Sequence, residues 1–396
     1  MKSTTGQPVR GDNFFNREPE LAELWFLVER DHVLMLAPRR VGKTSILRRM
    51  QDRPCEGWEV AFADVEAIDS EAAFVAKLLA ELYKVRPDRG LWSRLGDGIG
   101  KVIRRVGKVE VGATSLALDL TRAVGDDWQK VGDRMFRLLR DLEGPCLVAV
   151  DEFPIFVRRL LGQENGAERT RLLLDWFRSL RIDTEIAEAD VHFLVAGSIG
   201  LDAVVNRVGM SGTINDLRTF RLGELPEEQA DALLVELSRG ESVDLLEPIR
   251  RRILERITWR IPYHLQLMFD QLLRWSRFEK RELTVELVDE AFESLLGPES
   301  RKHFAHWEER IKDSLIAPQE RDLMKALLAA VARDPKGISD DTAAQIRHKH
   351  APSEELAPVL LALEHDGYLT RQNDRWRFAS ALLREWWRRW QVGEPA

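Results

Sequence analysis

The segment Ala37-Pro38-Arg39-Arg40-Val41-Gly42-Lys43-Thr44 constrains this chain more than any other. It directly follows the apolar run His32–Leu36 and leads into the helical pattern Ser45–Met50, the strand–loop–helix setting of a phosphate-binding loop. The spacing has a chemical reason. A loop wrapped around a nucleotide turns successive backbone N–H groups, and the N-terminus of the following helix, toward phosphate oxygens. Lys43 is then placed to reach the β and γ phosphates and the Thr44 hydroxyl to hold Mg2+. Ala37 stands where the usual first glycine would be, which stiffens the loop entry but leaves Gly42, Lys43 and Thr44 in place. Pro38, Arg39, Arg40, Val41, Gly42, Lys43, Thr44 and Ser45 form the expected nucleotide-binding set.

Two further signals complete a phosphoryl-transfer pattern. Leu147-Val148-Ala149-Val150 reads as a buried strand and ends in Asp151-Glu152. A carboxylate pair at a strand's C-terminal end suits magnesium-assisted hydrolysis, with Asp151 holding the metal through water and Glu152 polarising the attacking water. The run Val191–Ala196 closes in Gly197-Ser198. Ligands of parallel sheets gather at the carboxyl ends of the strands. Ser198 is therefore either a group facing the γ-phosphate or the water, or a turn cap for the next helix.

Composition sets the outer limits. A chain of 396 residues has room for two or three domains, and 44% hydrophobic with 32% charged residues describes a globular protein rather than a membrane or disordered one. No stretch approaches the roughly 18 apolar residues of a membrane span. Met1–Val9 is polar and lacks the apolar region of a signal peptide, so a cytoplasmic location is expected. Only Cys55 and Cys146 occur, giving no support to a disulfide framework or a zinc site. Fifty-nine basic against 66 acidic residues give a net charge of −7, which argues against a surface that coats nucleic acid indiscriminately.

Strand-like runs at His32–Leu36, Trp58–Phe62, Leu147–Val150 and Val191–Ala196 alternate with helical spacing, which predicts an α/β core with a parallel sheet over residues 1–222. An insertion at about 92–120 reads as a helix, Trp92–Val106, feeding a period-two hairpin of Lys108–Gly112 and Ser115–Leu120; the basic Lys101, Arg104, Arg105 and Lys108 read as a solvated face rather than a contact for nucleic acid or an acidic protein. Residues 223–300 read as an all-α lid, with helices over Pro226–Ser238, Leu245–Thr258, Pro262–Trp275 and Thr284–Leu296. Residues 301–396 read as a linker helix, Arg301–Ser314, and a winged-helix domain. Its helices are Glu320–Arg333, Thr342–His348 and Glu354–Asp366, and its hairpin turns at Asn373-Asp374. The run Trp386-Trp387-Arg388-Arg389-Trp390 fits core packing at helical spacing better than a stacking platform for bases.

Asn13–Leu21, the phosphate loop, Asp151-Glu152, Gly197-Ser198, Ile261-Pro262-Tyr263-His264-Leu265-Gln266 and Arg375–Trp387 occur in that order. Together they resemble the prokaryotic and archaeal-type P-loop ATPases of the STAND and AAA+ branch, over most of the chain. The resemblance implies that Asn16 and Arg17 lie near the adenine, that Ser198 takes the sensor position, and that Pro262 marks a lid helix facing the nucleotide. Arg260 replaces the family's glycine before that helix, either adding charge toward the phosphates or lying on the surface. Where hydrolysis needs a neighbouring subunit, a guanidinium completes the site, so a homo-oligomer is possible and Arg207 and Arg218 are the candidate fingers.

The reading that follows is an ATP/ADP- and Mg2+-dependent ATPase acting as a nucleotide switch on a protein partner. The alternative is a DNA-acting ATPase of the initiator or transposition-regulator type. A DNA-reading helix needs phosphate-pairing groups, whereas Glu354–Asp366 offers Glu354, Glu355, Glu364 and Asp366 against His365 alone. The switch is therefore preferred to the DNA reading.

Overall fold

The computed structural model describes residues 1–4, 6–106, 113–198, 200–311 and 317–393. The chain divides into two compact units, one of Arg17–Ala37 and Lys43–Leu222, the other of Met1–Asn16, Pro38–Gly42 and Gly223–Ala396. The N-terminal sixteen residues and the middle of the phosphate loop thus group with the C-terminal half, a division that chain order does not suggest.

The first unit runs α1 (Glu18–Val28), β1 (Val33–Leu36), α2 (Lys43–Asp52), β2 (Glu59–Asp64), α3 (Glu71–Val85), α4 (Arg89–Ser93), α5 (Asp97–Val106), α6 (Ala113–Val124) and α7 (Trp128–Leu138). It continues with β3 (Cys146–Asp151), α8 (Phe153–Leu161), α9 (Gly166–Ile182), α10 (Thr184–Glu188), β4 (Val191–Gly197), α11 (Leu201–Arg207) and β5 (Arg218–Arg221). The strands form one parallel sheet in the order β2-β3-β4-β1-β5. Every residue of β1 and β3 is buried, which is why these strands read as unbroken apolar runs rather than alternating ones. β5 escapes that criterion: in Arg218-Thr219-Phe220-Arg221 only Phe220 is buried.

The insertion differs from expectation. Ser115–Leu120 belongs to α6 and is not a strand. Leu120 and Val124, one helical turn apart, are buried, while Leu118 is 54% exposed, so the alternating leucines do not share a face. The other half of the expected hairpin, Lys108–Gly112, lies outside the described residues, as do the side chains of Arg104 and Arg105.

A buried polar knot fixes the amino ends of the strands. The Arg181 guanidinium donates to Asp216 at 2.6 and 3.0 Å and to the carbonyls of Thr213 and Phe177 at 2.6 and 3.0 Å. The His32 ring bridges the Arg181 carbonyl at 3.0 Å and the Phe193 N–H at 3.1 Å. Nδ1 must accept from that N–H, so the proton sits on Nε2 and donates to the carbonyl. A second proton has no acceptor, and burial, with Arg181 beside the ring, lowers the His32 pKa from 6.5 to about 4. The unfolded chain therefore binds more protons than the fold between those values, and the histidine's contribution, complete above pH 6.5, is lost as pH falls toward 4. Urea titrations at pH 7 and pH 4 should show the native chain losing about 3 kcal/mol more than His32→Gln. Equal losses would remove His32 from that role.

The second unit contains α12 (Glu227–Glu241), α13 (Glu247–Ile257), α14 (Pro262–Phe278), α15 (Val285–Leu295), α16 (Ala305–Ile311), α17 (Pro318–Arg333), β6 (Ile338–Ser339) and α18 (Asp340–His350). It ends with α19 (Leu356–His365), β7 (Leu369–Gln372), β8 (Arg375–Phe378) and α20 (Ala381–Trp387). The start of α15 is capped as its sequence suggests, the Thr284 hydroxyl accepting the Leu287 N–H at 3.2 Å. β7 and β8 pair through Gln372↔Arg375, with Asn373 and Asp374 both at positive φ in the two-residue turn. A two-residue strand, β6, adds to β8 and makes a three-stranded sheet. Arg301–Ser314 is not one helix: a 3-10 segment, Pro298–His303, precedes α16, and residues 312–316 lie outside the described set. Trp386 and Trp387 are buried, and Trp386 stacks on Phe304 with ring centres 5.7 Å apart, so these rings build core.

Candidate functional site

β1 carries the phosphate loop, β3 the acidic pair and β4 the serine. β4 lies between the other two strands, with Leu36 opposite Gly197 and Val150 opposite Val195. Their carboxyl ends therefore arrive together. Lys43, the first residue of α2, places Nζ 2.5 Å from Glu152 Oε1 and 3.2 Å from Asp151 Oδ1. The Thr44 hydroxyl donates to Asp151 Oδ2 at 2.6 Å. Ser198 donates its backbone N–H and its hydroxyl to Glu152 Oε2 at 3.1 and 3.0 Å. Ser198 thus bonds Glu152, a contact that neither alternative, a group facing the γ-phosphate or the water or a turn cap, includes.

The turn that presents Glu152 is held from both sides. Its φ of 58° lies in the left-handed region, a conformation that costs a side-chain-bearing residue on the order of 1 kcal/mol. Phe153, fully buried, packs against Phe74, Phe156 and Phe177, and Pro154 presses on the end of β4. A Cβ on Gly197 would come within 2.3 Å of Pro154 Cδ, so only glycine lets the two turns approach closely enough for Ser198 to bond Glu152.

Burial pushes the Asp151 carboxyl above its usual range despite the nearby Lys43 ammonium. Burial acts in the same sense on Glu152, but Lys43 and the two Ser198 bonds outweigh it and hold Glu152 below the usual carboxylate range, hence ionised. An ionised carboxylate fixed by three donated bonds is suited to orienting and polarising a water. Thr44 and Asp151 together offer a hydroxyl and a carboxylate oxygen, the hard donors Mg2+ prefers. Among the described residues no group of three His, Cys, Asp or Glu side chains is placed to hold a metal. When bound, Mg2+ would neutralise phosphate charge in the transition state.

The loop itself turns through Arg40 at φ 69° and Gly42 at φ 101°, leaving Lys43 and Thr44 at the start of α2 where phosphate is favoured. Val41 and Ser45 are buried. The Arg40 guanidinium donates to the Gly6 carbonyl at 2.9 Å and lies over the Tyr263 ring, 4.5 Å from its centre. Pro38 lies beside the Gly367 turn, where a Cβ would meet Pro38 Cβ at 3.0 Å and the Trp259 ring at 2.7 Å.

The other expected residues each have a local setting of their own. Asn16 and Arg17 are at positive φ, and buried Arg17 pairs with Glu20 at 2.5 Å. Pro262 is the first residue of α14. Arg260 is engaged with Glu224 and Glu227 at 3.4 and 3.5 Å and with the Leu225 carbonyl. Arg218 opens β5, at the amino ends of the strands, and pairs with Asp31 at 3.2 Å with 63% of its side chain exposed. Arg207 closes α11, and its side chain lies outside the described residues. Sequence reasoning did not find the Gly6 and Tyr263 contacts to Arg40. Tyr263 was signalled only as part of the Ile261–Gln266 motif, with no role attached, and nothing near Gly6 marked it.

No protein-family profile and no curated protein matches the chain. Solved structures do. A Walker-type ATPase of Pyrococcus abyssi is 18% identical over 96% of this chain and 97% of its own, with a TM-score of 0.62. The Aeropyrum pernix ORC2 protein, solved as ADPNP–ADP complexes, is 13% identical over 94% and 93%, with a TM-score of 0.53. The chain has the fold of the Walker-type P-loop ATPases. The loop after β1, the acidic end of β3 and the end of β4 lie together at the carboxyl edge of the sheet, where open α/β sheets bind ligands. No described helix is long and apolar enough to cross a membrane.

Proposed function

We propose that the chain binds ATP with Mg2+ and hydrolyses it, using the bound nucleotide to switch a protein partner. The observation that carries this reading is the closed set of contacts joining Lys43, Thr44, Asp151, Glu152 and Ser198. In this reading backbone N–H groups of the loop and Lys43 bind the phosphates, Thr44 and Asp151 hold the metal, Glu152 orients the water and Ser198 orients Glu152. We assign residues 1–222 to the ATPase core, 223–300 to a helical lid, and 301–396 to a linker and a winged helix. Asn16, Arg17 and Pro262 are assigned to nucleotide recognition. A finger in trans falls to Arg207 or Arg218. The engagement of Arg260 with Glu224 and Glu227 supports its surface alternative.

DNA is kept as a second reading on specific grounds. The acidic character expected of the reading helix does not survive: Glu354 and Glu355 precede α19, Asp366 pairs with Arg310 at 3.4 Å, and the helix exposes Ala357, Pro358, Leu361 and Glu364. The last turn of α18 carries Arg347, His348, Lys349 and His350. Phosphate release measured with and without DNA across protein concentrations separates the readings. A switch turns over ATP at a DNA-independent rate, and its DNA affinity falls only shallowly with salt. DNA-stimulated turnover with a steep salt slope establishes the second reading, and no turnover at any concentration overturns hydrolysis. Turnover per chain that rises with concentration is the result expected if a neighbouring subunit completes the site, as a finger in trans would.

A further inference from the structure

The phosphate loop is tied to α14 by one aromatic ring. Arg40 sits at the loop's left-handed turn, its guanidinium 4.5 Å from the centre of the Tyr263 ring and donating to the Gly6 carbonyl at 2.9 Å. Gly6 is fitted to both partners: a Cβ there would lie 2.8 Å from Arg40 Nη1 and 3.6 Å from the Tyr263 ring. The same tyrosine reaches the other way. Its hydroxyl lies 3.0 Å from His303 Nδ1, at the end of the 3-10 segment that leads into α16. Burial raises the Tyr263 pKa, so the phenol stays protonated; its hydroxyl shares a hydrogen bond with His303 Nδ1 and donates to the His303 carbonyl at 3.5 Å.

We propose that Tyr263 is a positioning residue for the nucleotide site, holding the phosphate loop through Arg40 and passing its state to the Pro298–Ile311 connector through His303. The proposal rests on the nucleotide-binding reading above. A cation held over a ring face, with a carbonyl accepting at its edge, restricts Arg40 to one arrangement. A loop so restricted loses less freedom when it closes on phosphates, so ATP binds more tightly. If phosphates draw the loop toward themselves, the ring and its hydroxyl follow, and the bond to His303 changes with them. Either ligand-side or connector-side ordering then favours the other, because the coupling is reciprocal.

Two substitutions separate the two arms. Tyr263→Leu removes ring and hydroxyl; Tyr263→Phe keeps the ring and removes only the bond to His303. Calorimetric titration with ATP and Mg2+ is expected to show affinity reduced about tenfold in Tyr263→Leu, or about 1.4 kcal/mol, and mostly recovered in Tyr263→Phe. Hydrogen exchange over residues 298–311 is expected to change on ATP addition in the unaltered chain and to stop responding in Tyr263→Phe. A residue that merely supported folding would not separate affinity from that response. Unreduced affinity in Tyr263→Leu overturns the loop arm, and an unchanged response in Tyr263→Phe overturns the connector arm. If the unaltered chain binds no ATP, the nucleotide reading fails and this inference with it; the other failures leave that reading standing.

Discussion

Glu152→Gln should leave ATP and Mg2+ bound while cutting hydrolysis about a hundred- to a thousandfold, the range expected when a positioned general base is neutralised. The substitution is nearly isosteric, and its amide oxygen can accept the bonds that Ser198 now donates at 3.1 and 3.0 Å, so the turn at φ 58° persists. What disappears is the negative charge that Lys43 and Ser198 keep on this carboxyl. Steady-state phosphate release together with titration of a fluorescent ATP analogue tests this. Release within a fewfold of the native rate would take Glu152 out of the hydrolytic step.

The second large effect concerns Lys43→Ala, which should lose ATP affinity by at least about a hundredfold through loss of a charge-assisted contact to phosphate. It also removes the cation shared by two largely buried carboxyls, at 2.5 Å from Glu152 and 3.2 Å from Asp151. Removing one partner of a buried ionic set commonly costs about 3 kcal/mol, partly relieved here if Asp151, whose pKa is already raised, takes up a proton. Two readouts are therefore expected to move together: a titration showing lost binding, and a lower urea midpoint that recovers as acid neutralises the carboxyls. Native affinity in the alanine variant would refute the phosphate assignment.

How far the sequence reached depended on the range of the interactions. The strands β1, β3 and β4 and the residues at their ends were legible because full burial demands continuous apolar runs and phosphate chemistry demands a fixed local spacing. β5 was not, because a strand with one buried residue, Phe220, carries no apolar run. α6 was mistaken for a strand because Leu116, Leu118 and Leu120 alternate, although only packing decides which leucine is covered. Nor does local pattern tell that Ser198 bonds Glu152, since that contact needs the clearance at Gly197. The acidic reading-helix argument failed for a similar reason: charges counted along a segment do not say which of them flank the helix or are spent on Arg310.

The strand order also bears on synthesis. β1 emerges early, yet both strands that pair with it, β4 and β5, are encoded far downstream. At ordinary ribosomal speeds of roughly 5–20 residues per second, the wait from Leu36 to Arg218 is on the order of ten to forty seconds. Until β4 is made the four apolar residues Val33–Leu36 have neither native edge covered, and until β5 is made at most one. An apolar strand whose edges wait for later partners is exposed to aggregation until they arrive.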